Sequence, residues 1–417
     1  DGEGQLIRPF IGWQDLRGEA NVDDVLDKIS REDYYAITGD PLGTVFSTTK
    51  LAWLKENEPE NWARTEMFST HQDYFLREWG AEGYWTDLSS ASREGMADVN
   101  NNTWSQEIHD LLGIPLSKRA KIATEPGKIV GRISAKVAEL SGLAEGTLLC
   151  VGAHDQNCST FGAGAVRPGD TVMVVGTFGS CFVVLDRPVR DPNAKLVVKP
   201  NHGVGNWTIE AFSVTSASAF RWYRDTFADL EGAASKALHE DPYDLITRAI
   251  SDVPAGARGV TFLPYLQGAA GARGNGNARG AFVGMTLGTT KADMARAVLE
   301  GICFEMKDIL NAQEAAGIEI GTIRLTGGAA KSPFWCQMLA DIFQKPIDLL
   351  QTSETGCLGA ALYAGIGAGV YVDCADAADR AVKITRRYEP QPGVIGEYSA
   401  AFERFVKVYE ALDGRVF

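Results

Sequence analysis

Residues 147–182 read TLLCVGAHDQNCSTFGAGAVRPGDTVMVVGTFGSCF. The apolar run 148–152 has the composition of a buried strand and stops at His154-Asp155. A Gly/Ala-rich segment and the turn Pro168-Gly169 follow. A second apolar run, 171–175, enters Gly176-Thr177-Phe178-Gly179-Ser180. One strand therefore brings a carboxylate to its end, where α/β folds collect ligands. The next ends in a small-residue turn with free backbone N–H groups, which suits an anion. Asp155 in this position can accept a proton from a hydroxyl nucleophile. It equally suits the cap of a helix beginning at Gln156. Gly176 lets the backbone approach a phosphate and Thr177 offers a hydroxyl, but the same five residues also make an ordinary hairpin turn.

Outward from this stretch, strands and helices alternate. Toward the N-terminus we expect a short strand at 6–13 and a helix over 23–37 that ends at Gly39-Asp40-Pro41. Further helices are expected at 50–57, 104–112 and 133–140, with a Ser-rich turn at 87–92 between them. Toward the C-terminus, 182–185, 196–198, 207–214 and 260–266 read as strands and 216–227 as a helix. The Gly/Arg/Asn-rich segment 268–280 reads as a surface loop, with Arg258, Arg273 and Arg279 solvated. Residues 291–312 form a long helix with Met294, Val298, Leu299, Ile302, Met306 and Ile309 on one face. A strand at 322–325 runs into Gly327-Gly328, after which Ser332 is a good N-cap and Pro333 fits the first helical position. A strand at 347–350, a helix of small residues at 355–367 and an amphipathic helix at 397–412 complete the chain. The fold class is α/β with mixed sheets.

The glycine pair before Ser332 can open space for a planar base or a phosphate, or simply make a tight strand-to-helix turn. It is neither a GxGxxG fingerprint nor a Walker A loop. Arg221 and Arg224 can meet an anionic ligand, or they can form a solvated face with Asp225.

Composition narrows the function. At 417 residues the chain calls for two or three domains, and a boundary is expected near 165–169. A net charge of -14 argues against a nucleic-acid binder. No apolar run is long enough to span a bilayer, so no membrane partner is expected. The seven cysteines fall in no CxxC spacing and the five histidines in no HxxxH pair, so no metal site and a reducing, cytoplasmic setting are expected.

Six segments, in order, resemble the FGGY family of carbohydrate kinases. Trp13-Gln14-Asp15-Leu16-Arg17 resembles W-x-D-x-R, and residues 50–57 resemble K-x-x-W-x-x-E-N. Residues 152–156 resemble the segment that carries the catalytic Asp, and Gly176-Thr177 the second phosphate loop. Residues 277–285 with 297–301 resemble the longest family signature, and 327–333 the adenosine segment. The resemblance implies two RNase-H-like lobes of the actin/hexokinase type around a central cleft. It assigns 1–165 to a sugar-binding lobe and 166–417 to a nucleotide-binding lobe. Asp155 would be the general base, with Trp13 and Gln156 at the sugar. Gly176, Thr177, Ala217 and Arg221 would contact the nucleotide, and Gly328, Ala329 and Ser332 its adenosine.

ATP would be the cofactor, with Mg2+ held mainly through its phosphates. The substrate would be a small sugar or polyol, a ketopentose such as xylulose first. The stretch 197–227, with Asn201-His202 and RWYRDTF, also resembles autoinducer-2 (dihydroxypentanedione) kinases, and glycerol and erythritol kinases are further alternatives. A homodimer is a common default. The family's opening hairpin, with an Asp-x-Gly-Thr phosphate loop, is not found before Asp1. The chain is therefore expected to lack that segment and its first lobe to be incomplete. On that basis a non-catalytic sugar- or nucleotide-binding remnant is the alternative from another class.

Overall fold

The computed structural model describes residues 1–201 and 206–417; His202 lies outside them. The fold divides into two compact units. The first comprises 1–168, 184–209 and 354–382, and the second 169–183, 210–353 and 383–417.

The first unit is largely helical, with small ladders between the helices. Its helices start and stop where local chemistry dictates. Ser30, Ser105 and Ser134 cap the helices Arg31–Thr38, Gln106–Leu112 and Ala135–Ser141 by accepting a backbone N–H. Gly39, Gly113 and Gly142 end the same three helices in the left-handed conformation. The expected single helix over 23–37 is instead two, Asn21–Leu26 and Arg31–Thr38, because the Ser30 cap restarts the chain. Residues 6–13 form no strand. Pro9 removes a ladder donor there, and the Asp1 carboxylate turns the chain by accepting the Glu3 and Gln5 N–H groups, each at 3.0 Å.

Two further expectations are corrected. The Ser-rich 87–92 is not a turn. Trp85–Asp87 is a strand, paired in parallel with Lys121–Ala123, and Leu88–Arg93 is a helix with Asp87 as its N-cap. The apolar run at 148 is a strand, Leu148–Cys150, but it is not buried between neighbours. Among the described residues it pairs only with Ile129–Arg132, antiparallel, and Leu148 is 38% exposed.

Among the described residues three apolar clusters fill this unit. One gathers Tyr34, Met96, Ile108 and Ile114, and a second Val130, Ile133, Leu149 and Val151. The third joins Phe161 to Leu362, Tyr363 and Ala377. It rests on the crossing of helices Asp155–Gly162 and Thr355–Gly367. A Cβ on Gly162 would stand 1.9 Å from the Thr355 carbonyl oxygen, and one on Gly359 would stand 1.9 Å from that of Cys158. Glycine at both positions lets the two backbones touch.

The second unit is built on a mixed sheet. Strand Ile323–Thr326 lies parallel to both Thr171–Val175 and Ile347–Leu350, and Ile384–Tyr388 adds antiparallel to the latter. On the other side Thr171–Val175 turns directly into Gly179–Leu185, with Val175 opposite Gly179. The helix Lys291–Ala315 is opened by a capping box between Thr290 and Asp293. Val298, Leu299, Ile302, Met306 and Ile309 on it are buried, as the stripe predicts, and Met294 in its first turn is half-buried. Gly301 brings it against Phe262, where a Cβ would meet the carbonyl oxygen at 2.4 Å. Residues 268–280 contain no helix or strand. Arg273 departs from the expected solvated state. It is largely buried, paired with Asp308 and stacked on Tyr409.

Candidate functional site

In the first unit the helix Asp155–Gly162 carries Asp155 in its first turn. The helix begins at Asp155 and not at Gln156, and the N-cap is His154, whose Nδ1 accepts the Gln156 N–H at 3.4 Å. The Asp155 side chain is 81% exposed, and its Oδ1 accepts the Gln156 N–H at 2.7 Å. A carboxylate in a first helical turn is favoured by the helix dipole. Asp155 is therefore not the cap of a helix beginning at Gln156; it lies inside the first turn, with its carboxylate exposed. Burial, with the Arg93 charge close by, pushes the His154 imidazole well below its ordinary value and keeps it neutral at pH 7.

Two sets of contacts hold this helix start. On one side the His154 N–H donates to Ser89 Oγ at 3.0 Å. On the other, Asn157 Nδ2 donates to the Asn201 Oδ1 at 2.9 Å and to the Pro200 carbonyl at 3.3 Å. Neither set is legible in the sequence, because the partners are tens of residues away.

Trp13 sits on the segment that precedes the first helix and is 54% exposed. Its motif is a small lock. Arg17 donates to both Asp15 oxygens, at 2.9 and 2.7 Å, and holds that carboxyl down at about 2. The Arg17 guanidinium also covers the Trp53 ring at 4.8 Å. Lys50, from the second motif, donates to the Trp13 carbonyl at 3.2 Å. The two motifs thus brace one another and leave the Trp13 indole outward.

In the second unit four of the expected nucleotide contacts meet. The 176–178 turn closes with the Gly176 N–H on the Phe178 carbonyl at 3.0 Å, so it is a hairpin turn. The helix Ser216–Phe227 begins beside it, where the Ala217 N–H donates to the Gly176 carbonyl at 2.8 Å. Arg221 lies one turn further along and donates to Thr177 Oγ1 at 2.9 Å. Arg224, by contrast, is committed to Asp225 at 2.6 Å. The exposed turn therefore presents a hydroxyl and a guanidinium side by side.

The glycine pair lies against the same strand end. Gly327 has φ +91°, and a Cβ on it would stand 2.7 Å from the Val175 carbonyl oxygen, so this position requires glycine. Gly328 is exposed, and a Cβ there would meet only that oxygen, at 3.9 Å. It leaves the open surface that a base or ribose needs. Ala329 is fully buried, backbone included, so of the expected adenosine contacts it is the one that presents no surface to a ligand. Ser332 caps the helix Pro333–Phe343 by accepting the Trp335 N–H at 3.4 Å. Among the described residues no three His, Cys, Asp or Glu side chains gather as a metal site. An exposed cation and hydroxyl on a glycine-bordered turn do fit a nucleotide polyphosphate.

The sequence matches two family models: the N-terminal domain of the FGGY family of carbohydrate kinases over 1–162, and its C-terminal domain over 171–368. The chain belongs to the FGGY family of carbohydrate kinases. It is 28% identical to the gluconokinase of Bacillus licheniformis over 417 residues, covering 99% of this chain and 80% of the relative. It is 29% identical to the xylulose kinase of Staphylococcus epidermidis over 421 residues, covering 99% and 79%. Among solved structures it is similar to ligand-bound xylulose kinase from Lactobacillus acidophilus, with a TM-score of 0.90 at 29% identity, covering 99% of this chain and 81% of that one. The likeness gives the fold as the two-lobed actin/hexokinase type. Both FGGY domains are matched, and the chain spans about 80% of the length of the relatives it matches. Among the described residues no helix is long and apolar enough to cross a membrane.

Proposed function

We propose that this FGGY-family kinase transfers the γ-phosphoryl group of ATP to a hydroxyl of a small sugar, a ketopentose such as xylulose first among them. Asp155 takes the proton of the attacking hydroxyl, the new O–P bond forms, and the bond to the β-phosphate oxygen breaks to release ADP. The observation that carries this reading is the Asp155 carboxylate, exposed on a helix start whose backbone is pinned from two sides. Phosphoryl transfer asks more of position than of base strength, which such a mounting supplies. Trp13 and Gln156 contact the sugar. Thr177 and Arg221 donate to the phosphates, the Gly176 and Ala217 backbone lines them, and Gly328 and Ser332 border the adenosine, with Ala329 packed beneath them. Mg2+ would be held mainly through the nucleotide phosphates and would neutralise part of their charge. The first unit serves the sugar and the second the nucleotide. The seven free cysteines suit a reducing cytoplasm.

Gluconate is the second reading, favoured by the gluconokinase likeness. Autoinducer-2 and the polyols glycerol and erythritol complete the set of acceptors. A coupled ADP-release assay of the full-length protein separates them: xylulose, gluconate, dihydroxypentanedione, glycerol and erythritol, each with ATP and Mg2+. Xylulose should give the highest kcat/KM, and Asp155→Ala should lower kcat at least 1000-fold with the fold intact. Turnover confined to another acceptor overturns the substrate. Turnover that survives Asp155→Ala overturns the base.

A further inference from the structure

The Ser-rich segment 87–92 has no part in the reading above, yet it reaches the residue next to Asp155. Asp87 Oδ1 caps its own helix by accepting the Ser89 N–H at 2.7 Å and the Ser90 N–H at 3.1 Å. The same oxygen accepts a hydrogen bond from the Ser89 hydroxyl. A serine hydroxyl has one proton to give and two lone pairs. With the proton committed to a carboxylate, Ser89 Oγ can only accept, and it accepts the His154 N–H at 3.0 Å across 65 positions of sequence. Both side chains are buried, Asp87 at 7% and Ser89 at 3% exposure, so water does not readily exchange for either partner. The backbone bonds to Asp87 suffice to cap the 88–93 helix. The hydroxyl bond to His154 adds nothing to that cap. What it fixes is the start of the 155–162 helix.

From this geometry we infer that Ser89, oriented by Asp87, is a positioning residue for Asp155. The inference rests on the reading of Asp155 as proton acceptor. The Asp155 side chain is exposed, so packing does not locate it; the backbone beneath it must. That backbone is fixed on one side by Ser89 and on the other by Asn157, while the glycine crossing with 355–367 fixes the far end of the helix. Removing the Ser89 acceptor frees one of the two holds at the end that matters. A displacement of about 1 Å at a reacting group can cost up to about 100-fold in rate.

The test is Ser89→Ala in the full-length protein, read in three ways. Amide hydrogen exchange across 151–157 should quicken by about tenfold or more, because the His154 N–H loses its acceptor. The kcat should fall by about tenfold, while KM for ATP stays within about twofold, because the nucleotide contacts lie on other residues. The conservative Asp87→Asn, which keeps an acceptor oxygen but not the charge, should fall between wild type and Ser89→Ala. It also serves if Ser89→Ala does not fold. Unchanged exchange at His154 overturns the inference. So does a lowered Tm with kcat per folded molecule unchanged, which would make the bond structural only. Asp155→Ala in parallel keeps the two readings apart: if it retains turnover, the base assignment fails while the exchange result still reports on the Ser89 bond.

Discussion

Asp73 is 1% exposed in the first unit, with Thr70 Oγ1 donating to it at 2.5 Å. Burial raises its pKa to about 7, the Glu94 charge adds to the rise, and Arg119 opposes it. A raised carboxyl pKa means the folded state holds a proton that the unfolded state has released. Stability therefore falls as pH rises from about 4 to about 7. Asp73→Asn should remove that slope and be more stable than wild type above pH 7, by on the order of a few kcal/mol. Urea midpoints at pH 5 and 7.5 check it; an equal gap between variant and wild type at both would refute it. Residues of this kind are silent in the sequence, where Asp73 is one acid among many. Asp155 and Thr177 are different. Each follows closely on the end of an apolar run, and that is what marks it in the sequence. Ser89 was out of reach because its partner is 65 residues away, and Arg273 because its burial depends on Asp308 and Tyr409.

Among the elements, the crossing of 155–162 with 355–367 is the tightest. Gly359→Ala would force a Cβ to within 1.9 Å of the Cys158 carbonyl oxygen, backbone that cannot swing aside. It should destabilise the protein by about 3 kcal/mol. Gly396, inside the helix Pro392–Leu412, has nothing within 4 Å, and Gly396→Ala should instead stabilise by about 0.5–1 kcal/mol. Chemical denaturation of the pair separates close packing from helix propensity, since propensity alone would raise both. The run TGCLGAALYAGIG shows in sequence that a helix of small residues is present, and its bounds follow. Which helix it touches does not, because nothing local in either segment names the other. Caps and glycine stops are legible for the opposite reason: Ser30 and Gly39 act on their own helix. Where propensity misled, at 6–13 and 87–92, a proline and an aspartate side chain decided the backbone.

For the whole molecule, the first unit is assembled from three separate segments. A reading along the chain sees composition shift near 165–169 but not that 184–209 and 354–382 return to the first unit. A fragment of residues 1–168 lacks the helix that covers Phe161, and we expect it not to fold cooperatively. A sigmoidal melt and dispersed amide resonances from that fragment would contradict this. Synthesis gives the same arrangement a cost in time. The 155–162 helix leaves the ribosome about 200 residues ahead of the 355–367 helix, roughly 10–40 s at ordinary elongation rates. Through that interval Phe161 and its neighbours have no cover, and the segment that bears Asp155 waits on a nascent chain as an exposed apolar surface. Holdase chaperones would meet this protein during that wait, before the first unit can close.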